Sequence, residues 1–549
     1  MNWHPGDRQA VARYATRSPV MAHRGLISTS QPLASAAGLA VFQEGGNAID
    51  AAVTAAATLS VVEPTMTGVG GDLFALLHNG RSNTTHALNA SGRSPHGASL
   101  DALRDALGPS LAIPERGPLS VSIPGAVDGW DILLARHGTI SLSRALQPAI
   151  HYARFGFAVS EVVSHQWRSV EPLLSQDEET ASLLLPNGRA PLAGDTFCNP
   201  ALALTLERIA TDGSRAFYKG AVAEQIADCF AQRNGWLNYD DLAAHHSDWV
   251  EPLTTTFFGR DVLELPPNTQ GLTAIEILNL ISGYDLERLG HNSAGYLHLL
   301  IESIRIAFAD RTAHLADSDS VPQKLIQKLS SPDYAKLRRR DIDPKHAAEN
   351  YRACQSTSPT PASSTGGTGD TVYLAAADEH GNVISLIQSL FGAFGSGVVS
   401  KNTGIVFQNR ASLFSSDPSH PNKLEPHKRP FHTLIPAMTF EKGLPTLSFG
   451  VMGGDMQAQG HAQVLVNLFV FGMNLQDAGD AARARWTGNA VACERGVSST
   501  AQSGLTSQGH RLSAEQGGFG GFQGVLIDQR RGVLVGGSDG RKDGISVGW

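Results

Sequence analysis

Thr371 sits where the texture of the chain changes, in the stretch TGGTGDTVYLAAAD. The residues before it, Ser356 to Asp370, are all Ser, Thr, Pro or Gly apart from Ala362 and the closing Asp370. That composition reads as an exposed, flexible linker. The segment after it, TVYLAAAD, reads as a strand. A threonine hydroxyl is a poor nucleophile unless a base stands beside it. One solution is to make the threonine N-terminal, so that its own α-amine is the base. A free α-amine titrates at about 7.7–8.0, close enough to neutral to accept a proton. This chemistry requires cutting the Asp370–Thr371 bond, and a linker on one side with a fixed strand on the other is the geometry such a cut needs. The competing reading is an ordinary threonine opening a strand.

Other motifs carry less. GGSDG at Gly536–Gly540 has the GxSxG spacing of a nucleophile elbow, but an elbow needs a following helix and a later His. No His follows Gly540, so a tight turn is the better reading. GVGGD at Gly68–Asp72 lacks the Lys-Ser/Thr ending of a phosphate loop, and close backbone packing accounts for its glycines as well. His245-His246 near Asp248 lacks metal-ligand spacing and reads as a solvated turn.

The elements that must position Thr371 follow from the wider pattern. The chain has 549 residues, 42% apolar and 17% charged, with a net charge of −8. That is enough apolar content for a large core, and without a basic stripe nucleic acid is not an expected partner. Four scattered cysteines without a CxxC argue against a disulfide framework or a Cys-based zinc site. No long apolar run suggests a membrane span. The charged N-terminal stretch lacks the core of a signal peptide, so the expected compartment is the cytoplasm. QEGGNAIDAA marks a break between two Ala-rich helices, with Asn47 capping the second. LSVSIPG at Leu119–Gly125 and the short stretch TGIVFQN read as strands. TVYLAAAD and NVISLIQSL, joined by DEHGN, read as a hairpin, as does GVLIDQRRGVLVGGSD. A helix-rich first two-thirds and a β-rich last third suit layered α/β packing.

Long ordered segments then resemble the γ-glutamyltransferase family of N-terminal-nucleophile (Ntn) hydrolases along nearly the whole chain. They include QPLASAAGLAVFQEGGNAIDAAVTAA, VVEPTMTGVGGDLFAL, GSGVVSKNTGIVFQNR, HKRPFHTLIPAM and SDGRKDGISVGW. The resemblance implies a four-layer αββα sandwich, self-cleavage before Thr371, and a heterodimer of residues 1–370 and 371–549. It implies attack by Thr371 on a small-molecule γ-glutamyl amide and an acyl-threonine passed to water or an amine. It assigns Gly453 and Gly454 to the oxyanion hole, Ser389 to orienting Thr371, and Asn409 to the pocket, and it implies no metal or organic cofactor.

The departures from the family pattern concern substrate. Leu413 stands where relatives hold an α-ammonium with Asp, and a leucine cannot pair with an ammonium. His432 and Thr433 replace a serine pair that grips a carboxylate, and Thr433 keeps a donor. The family's carboxylate-binding Arg is displaced by two places, to Arg93, and Arg410 replaces a glutamine. The set Arg93, Arg410 and Thr433 suits a distal carboxylate, which admits glutaryl as well as γ-glutamyl amides, as in the cephalosporin-acylase-like subgroup. The alternatives are a glutaryl acylase with weak transferase activity and, from another class, an uncut binding protein.

Overall fold

The computed structural model describes residues 17–108, 112–360, 370–515 and 517–549. Most of the linker, residues 361–369, lies outside the described residues. Fourteen strands form two seven-stranded sheets. In chain order they are β1 (Val20–Ala22), β2 (Gly25–Thr29), β3 (Asp72–Asn79), β4 (Thr84–Ala90), β5 (Asp248–Val250), β6 (Leu253–Phe257) and β7 (Arg260–Glu264). They continue as β8 (Asp370–Asp378), β9 (Val383–Phe391), β10 (Ala437–Glu441), β11 (Leu444–Val451), β12 (Phe522–Asp528), β13 (Val533–Ser538) and β14 (Ile545–Gly548). One sheet runs β14-β2-β8-β9-β3-β4-β5 and the other β1-β13-β12-β11-β10-β7-β6. Every neighbouring pair within each sheet is antiparallel.

The two-residue period of a strand divides β8 between two cores. Val372, Leu374 and Ala376 face the helices α1 (Pro32–Gln43) and α2 (Ala48–Val62). Tyr373, Ala375 and Ala377 face the second sheet, with Leu434, Met438 and Val525. A third core lies between the second sheet and α3 (Gly271–Ile281), α4 (Ala294–His314) and α5 (Met456–Phe469). Three cores between four layers make the αββα sandwich that the resemblance implies. Strands on both sides of the linker share both sheets, so residues 17–360 and 370–549 build one body.

Local signals explain the helices nearest β8. Asn47 caps α2 reciprocally with Asp50. All fifteen residues of α2 are buried, and its small side chains let it lie close over β8 and β9. Two expected strands differ. Leu119–Gly125 holds only a 3₁₀ turn at Pro118–Ser120. Its Ile123 N–H is taken by Arg93 O at 3.0 Å in a loop contact rather than a ladder. TGIVFQN contributes only Ile405–Val406 to a small two-stranded sheet.

Candidate active site

Thr371 lies at an irregularity of the β8–β9 ladder. Asp370 pairs with Phe391 and Val372 with Gln388, so Ser389 and Leu390 both stand opposite Thr371. Such a bulge re-aims a side chain. Thr371, 2% exposed, donates from Oγ1 to Ser389 Oγ at 3.3 Å. Ser389 Oγ also accepts the Phe391 N–H at 2.7 Å. The GVGGD glycines fit closely around this strand end. A Cβ on Gly71 would lie 2.5 Å from Ser389 O, and one on Gly70 would lie 2.2 Å from Val406 O. Close backbone approach is therefore what that motif provides.

The closely packed Gly70 lets the segment after Ile405 run alongside. Gln408 N–H donates to Gly70 O at 3.0 Å, and Asn409 N–H to Leu390 O at 3.2 Å. The run ends in a 3₁₀ turn, Arg410–Leu413. Arg410 is fully buried. Its Nη1 donates to Thr433 Oγ1 at 3.0 Å and its Nη2 to Ser389 Oγ at 3.4 Å, and its guanidinium lies over the Phe391 ring at 4.3 Å. Its Nε has no hydrogen-bond partner. Among the described residues no carboxylate pairs with Arg410 within 4.0 Å. Burial pushes its pKa down to about 9, against the pull of Asp72. The guanidinium remains charged at neutral pH and is short of a counter-ion.

Asp72 opens β3 directly opposite Ser389 in the ladder. Its Oδ1 accepts the Gly92 N–H at 3.1 Å and its Oδ2 lies 3.2 Å from His432 Nε2. Burial pushes the Asp72 carboxyl up to about 7, with Arg410 opposing. Burial, with Arg410 and Arg429 nearby, holds the His432 ring well below its usual pKa, so the ring is neutral. Leu434 N–H donates to His432 Nδ1 at 3.3 Å, which leaves the proton on Nε2, aimed at Asp72.

The Gly453-Gly454 loop follows β11. Gly453 and Gly454 have φ of 107° and 54°, and a Cβ on Gly453 would come within 3.1 Å of Gly520 Cα. Among the described residues neither Gly453 N–H nor Gly454 N–H is donated to a protein acceptor. Gln270 joins this loop to the Thr433 loop by donating to Thr433 O at 2.7 Å and Gly454 O at 3.0 Å. Arg311 holds Gln270 Oε1 at 3.0 Å and Asp455 Oδ1 at 2.7 Å.

The structure thus brings Thr371, Ser389, Arg410 and Thr433 into one hydrogen-bonded chain and ties Gly454 to it through Gln270. Asn409 stands beside them but holds Gly392 N–H and Glu115 O, at 2.9 and 2.8 Å. Arg93 is placed elsewhere: its Nη2 donates to Asp248 Oδ2 at 3.3 Å, a carboxylate shared with Arg429. None of its hydrogen bonds reaches Thr371, Arg410 or Thr433. The His245 ring, read as part of a solvated turn, is instead buried and stacked on Tyr218, whereas His246 is exposed. GGSDG lies at the end of β13, where Asp539 is buried between Arg483 and Arg541. Sequence reasoning missed Asp72, Gln270 and Arg311. Asp72 closes the GVGGD motif and was the one of the three with a local signal.

Residues 34–549 match the Gamma-glutamyltranspeptidase family. The chain belongs to that family. It is 36% identical over 544 residues to the glutathione hydrolase-like YwrD proenzyme of Bacillus subtilis, covering 96% of this chain and 99% of the relative. It is 32% identical over 538 residues to the acylase ACY 1 proenzyme of a Pseudomonas species, covering 97% and 94%. The cephalosporin acylase of Bacillus halodurans superposes with a TM-score of 0.91 at 36% identity, over 100% of this chain and 99% of the other. This γ-glutamyltransferase-family chain is therefore an enzyme of the glutathione hydrolase and acylase type, on the Ntn-hydrolase sandwich.

Proposed function

We propose that the chain cuts itself between Asp370 and Thr371, and that residues 1–370 and 371–549 then act together on amides whose acyl group carries a distal carboxylate, γ-glutamyl or glutaryl. The observation that carries this reading is Arg410. A buried guanidinium with no carboxylate within 4.0 Å among the described residues, hydrogen-bonded to the hydroxyl that touches Thr371, is a receptor for a carboxylate held one acyl chain away from the reacting carbonyl.

In the intact chain Thr371 N is an amide, and the cut turns it into an amine. The amine takes the Oγ1 proton as Oγ1 attacks the amide carbon. The Gly453 and Gly454 N–H groups face the charge that develops on the carbonyl oxygen, a contribution of about 10²–10³ in rate for one such donor. The C–N bond then breaks, and the leaving amine departs with the proton held by the Thr371 amine. Water, or an acceptor amine, attacks the acyl-threonine ester and gives up a proton to the same base, which passes it to Oγ1 as the ester C–O bond breaks, restoring the hydroxyl and the free amine.

A second reading, a glutaryl acylase with weak transferase activity, is favoured by Leu413. In a 3₁₀ turn residues three apart eclipse, about 6 Å along the axis, so Leu413 stands over Arg410. It lines a cavity of about 180 Å³ with Arg311, Leu315, His420, Asn422 and Phe431. Among the described residues no Asp or Glu lines that cavity, so an α-ammonium would find no carboxylate there. The experiment is a comparison of γ-glutamyl and glutaryl anilides on the processed enzyme and its Leu413→Asp variant. The variant should shift the kcat/KM ratio toward γ-glutamyl by about tenfold or more, the scale of one charge-assisted hydrogen bond. An unchanged ratio removes Leu413 from specificity.

A further inference from the structure

Three fully buried ionisable side chains, Asp72, Arg410 and His432, sit together behind Ser389. A buried carboxylate and guanidinium in one cluster ordinarily close on each other, because each relieves the other's desolvation. Here they do not. Asp72, ionised above about pH 7, is the acidic neighbour that acts on Arg410, yet its oxygens are turned to Gly92 N–H and His432, while the two Nη atoms of Arg410 go to hydroxyls.

We propose that His432 is a positioning residue for the acyl-binding Arg410: its Nε2–H engages Asp72 and keeps that carboxylate from closing on the guanidinium, which stays open to the carboxylate of an incoming acyl donor. The inference rests on the role of Arg410 proposed above.

Each part of the device is fixed by its neighbours. The ladder sets Asp72 opposite Ser389, and directly opposed residues project from the same face of a sheet. Asp72 therefore cannot leave the neighbourhood of Arg410; only its rotamer is free to be chosen. The His432 ring is wedged edge-on against Phe74, with centroids 4.7 Å apart. The Leu434 N–H selects its tautomer. Arg429 is the other cation acting on both Asp72 and His432. It is occupied by Asp248 at 2.6 Å and Ser91 O at 2.9 Å. Leucine in place of His432 would fill similar space and remove the donor. Glutamine would keep an N–H near the position of Nε2.

The test uses the purified, processed enzyme with glutaryl anilide as the carboxylate donor and butyryl anilide as its neutral counterpart. His432→Leu should raise the glutaryl KM about tenfold relative to the butyryl KM. His432→Gln should restore most of the difference, and so should the double variant Asp72→Asn/His432→Leu, in which no carboxylate is left to capture Arg410. A purely structural role would move both donors together and would not be relieved by the second substitution; either result overturns the proposal. Where His432→Leu fails to fold or process, His432→Met takes its place: a rise in KM confined to the glutaryl donor and relieved by adding Asp72→Asn supports the proposal, and an equal change for both donors overturns it. Arg410→Gln separates the two layers of the argument. If it leaves the glutaryl KM unchanged, the carboxylate-receptor reading itself fails. If it raises KM while His432→Leu does not, only the positioning role falls.

Discussion

Thr371 Oγ1 stands 3.3 Å from Ser389 Oγ because the ladder slips at that point, setting two residues of β9 against one of β8. In a regular pairing Thr371 would face a single partner. The slip lets Ser389 Oγ accept from Thr371 and from the Phe391 N–H, which fill its two lone pairs, with the Arg410 guanidinium a longer contact at 3.4 Å. Ser389 is thus a fixed acceptor that sets the rotamer of the threonine.

Ser389→Ala should therefore lower kcat by about tenfold, the upper range for one neutral hydrogen bond, with a smaller effect on KM. Steady-state kinetics on fully processed protein checks this. A KM effect larger than the kcat effect would assign Ser389 to substrate binding instead.

Gly453→Ala should cost about 10²–10³ in kcat. Its φ of 107° is one that alanine rarely adopts, and the added Cβ would lie 3.1 Å from Gly520 Cα. The loop must shift, and the N–H moves with it. A kcat within about threefold of the parent would mean that this N–H does not face the oxyanion.

Asp72 should leave a mark on stability against pH. Its carboxyl titrates at about 7 in the fold against 3.8 without it. The native chain therefore holds a proton that the unfolded chain has released across this window. Its contribution to stability is present below about 4 and is lost as pH rises to about 7. An asparagine at this position cannot ionise, so the Tm of Asp72→Asn minus that of the parent should grow from pH 5 to pH 8. Thermal melts at both pH values check the sign, and a difference that stays constant would place the Asp72 carboxyl outside this titration.

The strand that Thr371 opens was legible because a linker-to-strand boundary is a local signal, as were the Asn47 cap and the hairpins. The layers, and the attention to the Gly453-Gly454 loop, came from long matching segments. What the sequence could not show was pairing over distance. Arg93 and Arg410 looked equally fit to hold a carboxylate, and only the fold commits Arg93 to Asp248 and leaves Arg410, among the described residues, with hydroxyl partners and no carboxylate within 4.0 Å. Asp72 lay hidden in a glycine motif whose role is close packing. Its meaning depends on His432, 360 positions away. Leu119–Gly125 alternates like a strand, yet its Ile123 N–H is engaged by Arg93 O in a loop, so no ladder forms.

The central claim is that Thr371 becomes an N-terminal nucleophile. Intact mass and N-terminal sequencing of the purified protein, beside a Thr371→Ala control, test it most directly. The account predicts two chains from the parent, the smaller beginning Thr-Val-Tyr-Leu, and one uncut chain from the control. A parent that remains a single chain of 549 residues, indistinguishable from the control, would contradict it, because Thr371 would then have no amine to act as base.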